Sequence, residues 1–211
     1  MLMLVLITRF DSYNQAVRAG AWQSSSQFCL LDYPIGELSG RTLGLLGYGE
    51  LGQEVGRLAS AFGMRVVVGS VPGREQAGRP TLEQLLPEVD ILTLHCPLTD
   101  KTRGMIGAQQ LAAMKPGSLL INTGRGGLVD EQALVDSLRS GHLAGAGFDV
   151  LTTEPPVAGN PLLQEGIPNL VVTPHSAWGS REARQRIVEQ LAENLRHGTS
   201  GEGAFPRRIA G

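Results

Sequence analysis

Three residues of this 211-residue chain stand where side chains could do chemistry together. Arg125 sits between glycines in "NTGRGG" (122–127), Glu154 precedes a proline pair in "GFDVLTTEPP" (147–156), and His175 lies in "TPHSAW" (173–178). A guanidinium can grip a carboxylate through two parallel hydrogen bonds and polarise the carbonyl beside it. An imidazole can deliver a proton near neutral pH, and a neighbouring carboxylate can orient the ring and favour its protonated form. With a hydride source close by, this trio suits reduction of a 2-oxo acid. Singly, each has a plainer reading. Arg125 could cap a carbonyl and stay solvated, Glu154 could open a proline-rich loop, and His175 could be a satisfied buried histidine. Their joint placement, each just after an apolar run, favours the site.

Those apolar runs are the elements that must position the trio. "TLGLLG", "RVVVG", "DILTLHCP", "SLLINT", "LAGAGFDV" and "NLVVTPH" are short continuous apolar runs, as expected of strands buried on both faces. Between them lie segments of helical spacing: "ELGQEVGRLASAFG", "TLEQLLPEV" with Thr81 as a possible cap, "GAQQLAAM" and "DEQALVDSLRSG". "REARQRIVEQLAENLRHG" is a last amphipathic helix, and "TSGEGAFPRRIAG" reads as a loose tail. Residues 1–22, from "MLMLVLIT" to Trp22, read as one buried helix. Strand alternating with helix predicts an α/β fold, a doubly wound parallel sheet of Rossmann type, with right-handed crossovers. Functional residues then belong at the carboxyl ends of the strands.

Composition narrows the class. Apolar residues make up 42% and charged residues 18%, and the formal net charge is −2, so no basic field invites nucleic acid or an anionic membrane. The apolar start is too short to span a bilayer and lacks the basic flank and cleavage site of a secretory signal. Cys29 and Cys96 lie far apart without metal-ligand spacing, so we expect reduced thiols in a cytoplasmic protein and no metal site.

Gly47-Tyr48-Gly49-Glu50-Leu51-Gly52 fits G-x-G-x-x-G, ending one expected strand and opening a helix. In that context the first glycine turns the chain, the second lets backbone approach a pyrophosphate, and the third lets helix pack on strand. Helix amides and dipole then favour the phosphates. The plainer alternative is a tight turn without a ligand. An NAD site would place an acid about 20 residues beyond this loop to meet the ribose. Here that strand ends in Gly69-Ser70, with Arg74 close by and Glu75 after it. A hydroxyl and an arginine suit a 2′-phosphate better than a bare ribose, so the cofactor is NAD or NADP, with a slight lean to NADP.

At this point the sequence resembles a known family, the D-isomer-specific 2-hydroxyacid dehydrogenases. "LGLLGYGELGQEVGRLASAFGMRV", "DILTLHCPLTDKTRGMIGAQQLAAMKPGSLLINTGRGGLVDEQAL", "AGFDVLTTEPP" and "VVTPHSAWGS" carry the likeness over most of residues 40–180, in the family's order. The resemblance implies that Arg125, Glu154 and His175 are catalytic and that Asp149 binds the nicotinamide carboxamide. It puts His95, Cys96 and Pro97 in a cofactor-facing loop, with Thr102, Thr123, Gly124 and Ala177 also at the cofactor. "HSAW" is similar to the glycerate dehydrogenase or hydroxypyruvate reductase branch, in which Trp178 borders the substrate pocket. The related formate dehydrogenase type has glutamine where this chain has Glu154. A nucleotide-sensing binding module, like the family's corepressors, stays open as an alternative, as does a fragment without turnover.

The resemblance also divides the chain. Residues 1–39 are similar to an interdomain helix and dimerisation arm, 40–179 to the dinucleotide-binding domain, and 180–211 to a helix and tail returning to a first, substrate-binding domain. That first domain has no counterpart here, so we expect weak nucleotide binding and little turnover from this chain alone. A homodimer formed through the cofactor domain is the expected partner arrangement.

Overall fold

A computed structural model of the protein describes residues 1–199, with side chains through 196. The expected tail lies, from residue 200 on, outside the described residues. The described residues divide into two units, 1–174 and 175–199.

The first unit is built on six strands: β1 (Thr42–Leu46), β2 (Arg65–Gly69), β3 (Ile91–Leu94), β4 (Leu119–Asn122), β5 (Gly145–Phe148) and β6 (Leu170–Val172). All neighbours pair in parallel, in the order β2-β1-β3-β4-β5-β6. This is the doubly wound arrangement that the alternating pattern predicts. β1, β3, β4 and β5 are buried throughout, which explains their unbroken apolar character. β2 departs from expectation: Arg65 is exposed and the three valines only half-buried, because this strand forms one edge of the sheet.

Helices cover both faces. Leu43, Leu45, Ile91, Leu119 and Ile121 point to one face and pack with Leu2, Leu6 and Ala59, from α1 (Leu2–Ile7) and α3 (Glu50–Ala61). Leu46, Leu92, Leu94, Leu120 and Phe148 point to the other. There they meet α4 (Leu82–Leu85), α5 (Ala108–Ala113) and α6 (Glu131–Arg139) through Leu85, Leu111, Leu134 and Leu138. The alternation of side chains along each strand divides the core in this way. Thr81 caps α4, its hydroxyl accepting from Gln84 N while the Gln84 side chain answers to the Thr81 amide.

The expectation of one helix through Trp22 is corrected. α1 stops at Ile7, and Arg9 adopts a left-handed backbone (φ 54°, ψ 33°) that no α-helix can pass through. A second helix, α2 (Phe10–Arg18), then leaves in a new direction with no buried residue. Only the first turn and a half is core. The second unit contains α7 (Arg181–Thr199), with Ile187, Val188, Leu191 and Leu195 exposed. No helix among the described residues is long and apolar enough to cross a membrane.

The break at Arg9 makes a testable contrast. Leu6 is 1% exposed and Phe10 59%. Leu6→Ala should destabilise the protein by about 2–5 kcal/mol and Phe10→Ala by less than about 0.5 kcal/mol in urea unfolding. Similar losses at both positions would mean that α1 and α2 share one buried face.

Candidate active site

One register row fixes the site. Gly69, Leu46, Leu94, Asn122, Phe148 and Val172 are successive partners across the sheet. Because every strand runs the same way, the next residues, Ser70, Gly47, His95, Thr123, Asp149 and Thr173, all emerge at one edge. Parallel pairing alone gathers them.

At the tip of β1 the backbone of Gly47 turns at φ 97°. A Cβ on Gly52 would lie 2.2 Å from the Gly47 carbonyl oxygen, so α3 seats directly on the turn. Gly49 is the N-cap of α3 and provides no side-chain cap, which leaves the helix's first amides for another acceptor. Nothing within 4 Å would meet a Cβ on Gly49, so the approach to the loop is open there. Amides without a capping side chain, on an open face, fit a pyrophosphate. Tyr48 is partly exposed, Leu51 projects into solvent, and Glu50 lies in the first turn.

His95 lies beneath this loop. Its amide donates to the Leu46 carbonyl at 2.7 Å, and its ring Nε2 lies 3.0 Å from the Thr93 hydroxyl. Burial pushes the imidazole pKa down, so the ring is neutral at pH 7. Burial likewise pushes the Cys96 thiol up to about 11, which makes it a packing group and not a nucleophile. The loop after Pro97 is organised by Thr102, 1% exposed. The Thr102 hydroxyl donates to the Pro97 carbonyl and accepts from the Thr99 amide, both at 2.8 Å. Ser70 behaves similarly. It is 4% exposed, and its Oγ accepts from the Gln76 amide at 3.1 Å, so its hydroxyl orders the loop after β2. Arg74 is exposed on that loop, and Arg79 lies with its guanidinium carbon 5.6 Å from the centre of the Tyr48 ring.

Arg125 is placed by a residue that sequence reading missed. Asn122 is fully buried; its Nδ2 donates to the Arg125 carbonyl at 2.9 Å and its Oδ1 accepts from the Gly124 amide at 3.1 Å. The amide side chain thereby clasps the turn from both ends. The signal was a polar residue closing an apolar strand. Arg125 itself is exposed, and its Nη1 donates to the Gly124 carbonyl at 2.8 Å. The guanidinium keeps further N–H donors for an anion.

The Glu154 loop is locked to that turn. A Cβ on Gly126 would lie 2.0 Å from the Leu151 carbonyl carbon, so the two backbones touch. Glu131, 8% exposed and also missed, bridges the same segments: Oε1 accepts from the Thr152 amide at 2.8 Å and Oε2 from Asn160 Nδ2 at 2.7 Å. Glu154 Oε1 accepts from the Leu151 amide at 2.7 Å. Asp149, at the tip of β5, accepts from the Thr173 hydroxyl, and its amide donates to the Asn122 carbonyl at 3.0 Å.

His175 opens the second unit in a left-handed backbone conformation, φ 51°. Its side chain is exposed, as are Ala177 and, at 56%, Trp178. No group of three or more His, Cys, Asp or Glu among the described residues could hold a metal. A cavity of about 200 Å³ lies at the opposite edge of the sheet, lined by Leu6, Arg9, Arg41 and Asn169 among others, away from these groups.

The model of the D-isomer specific 2-hydroxyacid dehydrogenase NAD binding domain matches residues 1–177. A glycerate dehydrogenase from Methylorubrum extorquens is 48% identical over 95% of this chain and 63% of its own length. A hydroxypyruvate reductase from Blautia hydrogenotrophica is 39% identical over 92% of this chain and 61% of its own. The chain thus spans about three-fifths of these relatives. Among solved structures, a protein from Thermus thermophilus superposes with a TM-score of 0.83 at 40% identity, covering 99% of this chain and 65% of that one. An NADPH-dependent glyoxylate/hydroxypyruvate reductase from Sinorhizobium meliloti has a TM-score of 0.79 at 35% identity, covering 95% and 62%.

The Glu131 bridge yields a prediction. Glu131→Gln offers an N–H₂ where Asn160 Nδ2 already donates, and Asn160 Oδ1 cannot swap in because it accepts from the Leu162 amide at 2.9 Å. One buried group is left unpaired, a loss of about 1–3 kcal/mol. Hydrogen exchange should quicken at Thr152 and Leu162 more than in β1. Uniform exchange rates across the chain would show that the bridge does not hold this loop.

Proposed function

This chain belongs to the D-isomer specific 2-hydroxyacid dehydrogenase family, and from that premise we propose that it is the cofactor-binding and catalytic part of an oxidoreductase. The reaction is hydride transfer between a nicotinamide and a small 2-hydroxy or 2-oxo acid. Hydroxypyruvate with D-glycerate, or glyoxylate, are the substrates the relatives' names favour. The observation that carries the reading is the Arg125 turn, clasped by Asn122 and held in backbone contact with the Glu154 loop, on the sheet edge that also presents the glycine loop.

The bound nicotinamide supplies the hydride. The chain's own groups do the rest. Amides of residues 48–52 would hold the pyrophosphate, and Asp149, Thr123 and Gly124 would bind the nicotinamide part. Arg125 draws the substrate carboxylate into line and polarises the carbonyl next to it, a preorganised charge of the kind that lowers barriers most. In the roles that the family resemblance assigns, His175 donates the proton to the carbonyl oxygen, Glu154 is the acid that serves it, Ala177 belongs to the cofactor site and Trp178 to the substrate pocket. The cofactor is NAD or NADP, with the lean to NADP resting on the acid missing at the tip of β2. Residues 1–39 carry Trp22 at 53% and Phe28 at 91% exposure, apolar surface that suits cover by a second copy, so we read the protein as a homodimer.

The test is oxidation of NADPH and NADH, followed by absorbance, with hydroxypyruvate and glyoxylate in turn. We expect turnover that depends on the 2-oxo acid. Nucleotide binding without turnover on either acid, by a protein that includes the family's full length, would favour a nucleotide-sensing module instead.

A further inference from the structure

The dehydrogenase reading leaves the choice between the two nicotinamide nucleotides to the segment after β2, where this fold meets the adenosine ribose. Residues 70–80 form a loop closed at its base. The Ser70 amide donates to the Pro80 carbonyl at 2.8 Å, and the Arg79 amide donates to the Gln76 carbonyl at 3.1 Å. Glu75, the one acid in this segment, accepts from the Gly73 amide at 2.9 Å. Its carboxylate is thereby engaged with its own turn.

Two arginines remain, in different surroundings. Arg74 closes a tight turn, its amide donating to the Val71 carbonyl at 2.8 Å, with its side chain in solvent. The Arg79 guanidinium instead stacks 5.6 Å from the centre of the Tyr48 ring. Tyr48 stands between the first two glycines of the phosphate loop, and a Cβ on Gly56 of α3 would lie 3.7 Å from its Cε2. The ring thus lies near α3 with Arg79 over its face, and it stays 40% exposed. One cation lies over a side chain of the phosphate loop; the other rides an outer turn. A guanidinium already held on an aromatic face loses less freedom on meeting an anion, and its planar fork fits a phosphate.

Resting on the dehydrogenase reading, we propose that Arg79, seated on Tyr48, is the residue that selects NADP, by pairing with the 2′-phosphate. Arg74 then contributes only diffuse charge. Tyr48 is a positioning residue, needed for its ring and not for its hydroxyl.

Titration of the protein with NADPH and with NADH, read by nucleotide fluorescence, tests this without any turnover. Arg79→Gln should weaken NADPH about tenfold, the scale of one charge-assisted pair, and leave NADH within about twofold. Retained NADH affinity also shows that the variant is folded. Arg74→Gln and Tyr48→Phe should leave the NADPH-to-NADH ratio near wild type, while Tyr48→Leu should lower it. An unchanged ratio in Arg79→Gln, an equal loss for both nucleotides, or a ratio that collapses only in Arg74→Gln overturns the proposal. Wild-type protein that binds neither nucleotide overturns the dehydrogenase reading as well.

Discussion

Backbone touches backbone at two points on the sheet edge, with no room for a methyl group at either. Gly52 rests against the carbonyl of Gly47, and Gly126 against the peptide after Leu151. Close packing of this kind is rigid, because nothing between the segments can change rotamer. The first contact aims the amino end of α3 across the tip of β1. The second joins the turn that carries Arg125 to the loop that carries Glu154. Displacing either would spoil the alignment that parallel pairing provides.

Around these contacts the polar groups divide into two kinds. Buried ones are satisfied within the protein and act as braces: Asn122, Glu131, Thr102 and Ser70 each hold a loop by hydrogen bonds to backbone. Exposed ones, Arg125 and Glu154 among them, are carried on those braced loops. Loops braced in this way hold the groups they carry in place before any ligand arrives, which is where positioning would contribute to rate in the proposed reaction. His95 fits the same pattern, a neutral ring under the glycine loop whose partner is a threonine hydroxyl.

Much of this was legible beforehand. Six apolar runs became six parallel strands because strands buried on both faces must be apolar without interruption. That Arg125, Asp149 and the glycine loop follow strand tips on one edge was legible because strand tips in such a sheet converge. What escaped has a physical cause. Asn122 and Glu131 look like ordinary polar residues in one dimension, and only the returning loop shows what they hold. The break at Arg9 escaped because a single left-handed residue leaves no mark on hydrophobic spacing, and an apolar start conceals that α2 has no buried side. Ser70 drew notice for its hydroxyl, yet whether a hydroxyl faces ligand or its own loop depends on a closure between residues 70 and 80 that spacing does not reveal.

The claim on which all this turns is that Arg125 meets the substrate carboxylate. Its most direct test is kcat/KM for hydroxypyruvate in Arg125→Gln against wild type, in a protein that includes the family's full length, with NADPH affinity measured on the same samples. Loss of one preorganised charge at the reacting group predicts a fall of about 10²–10³-fold with nucleotide affinity unchanged. A fall of only a few-fold would contradict the account, for Arg125 would then be the solvated turn residue whose Nη1 merely caps Gly124.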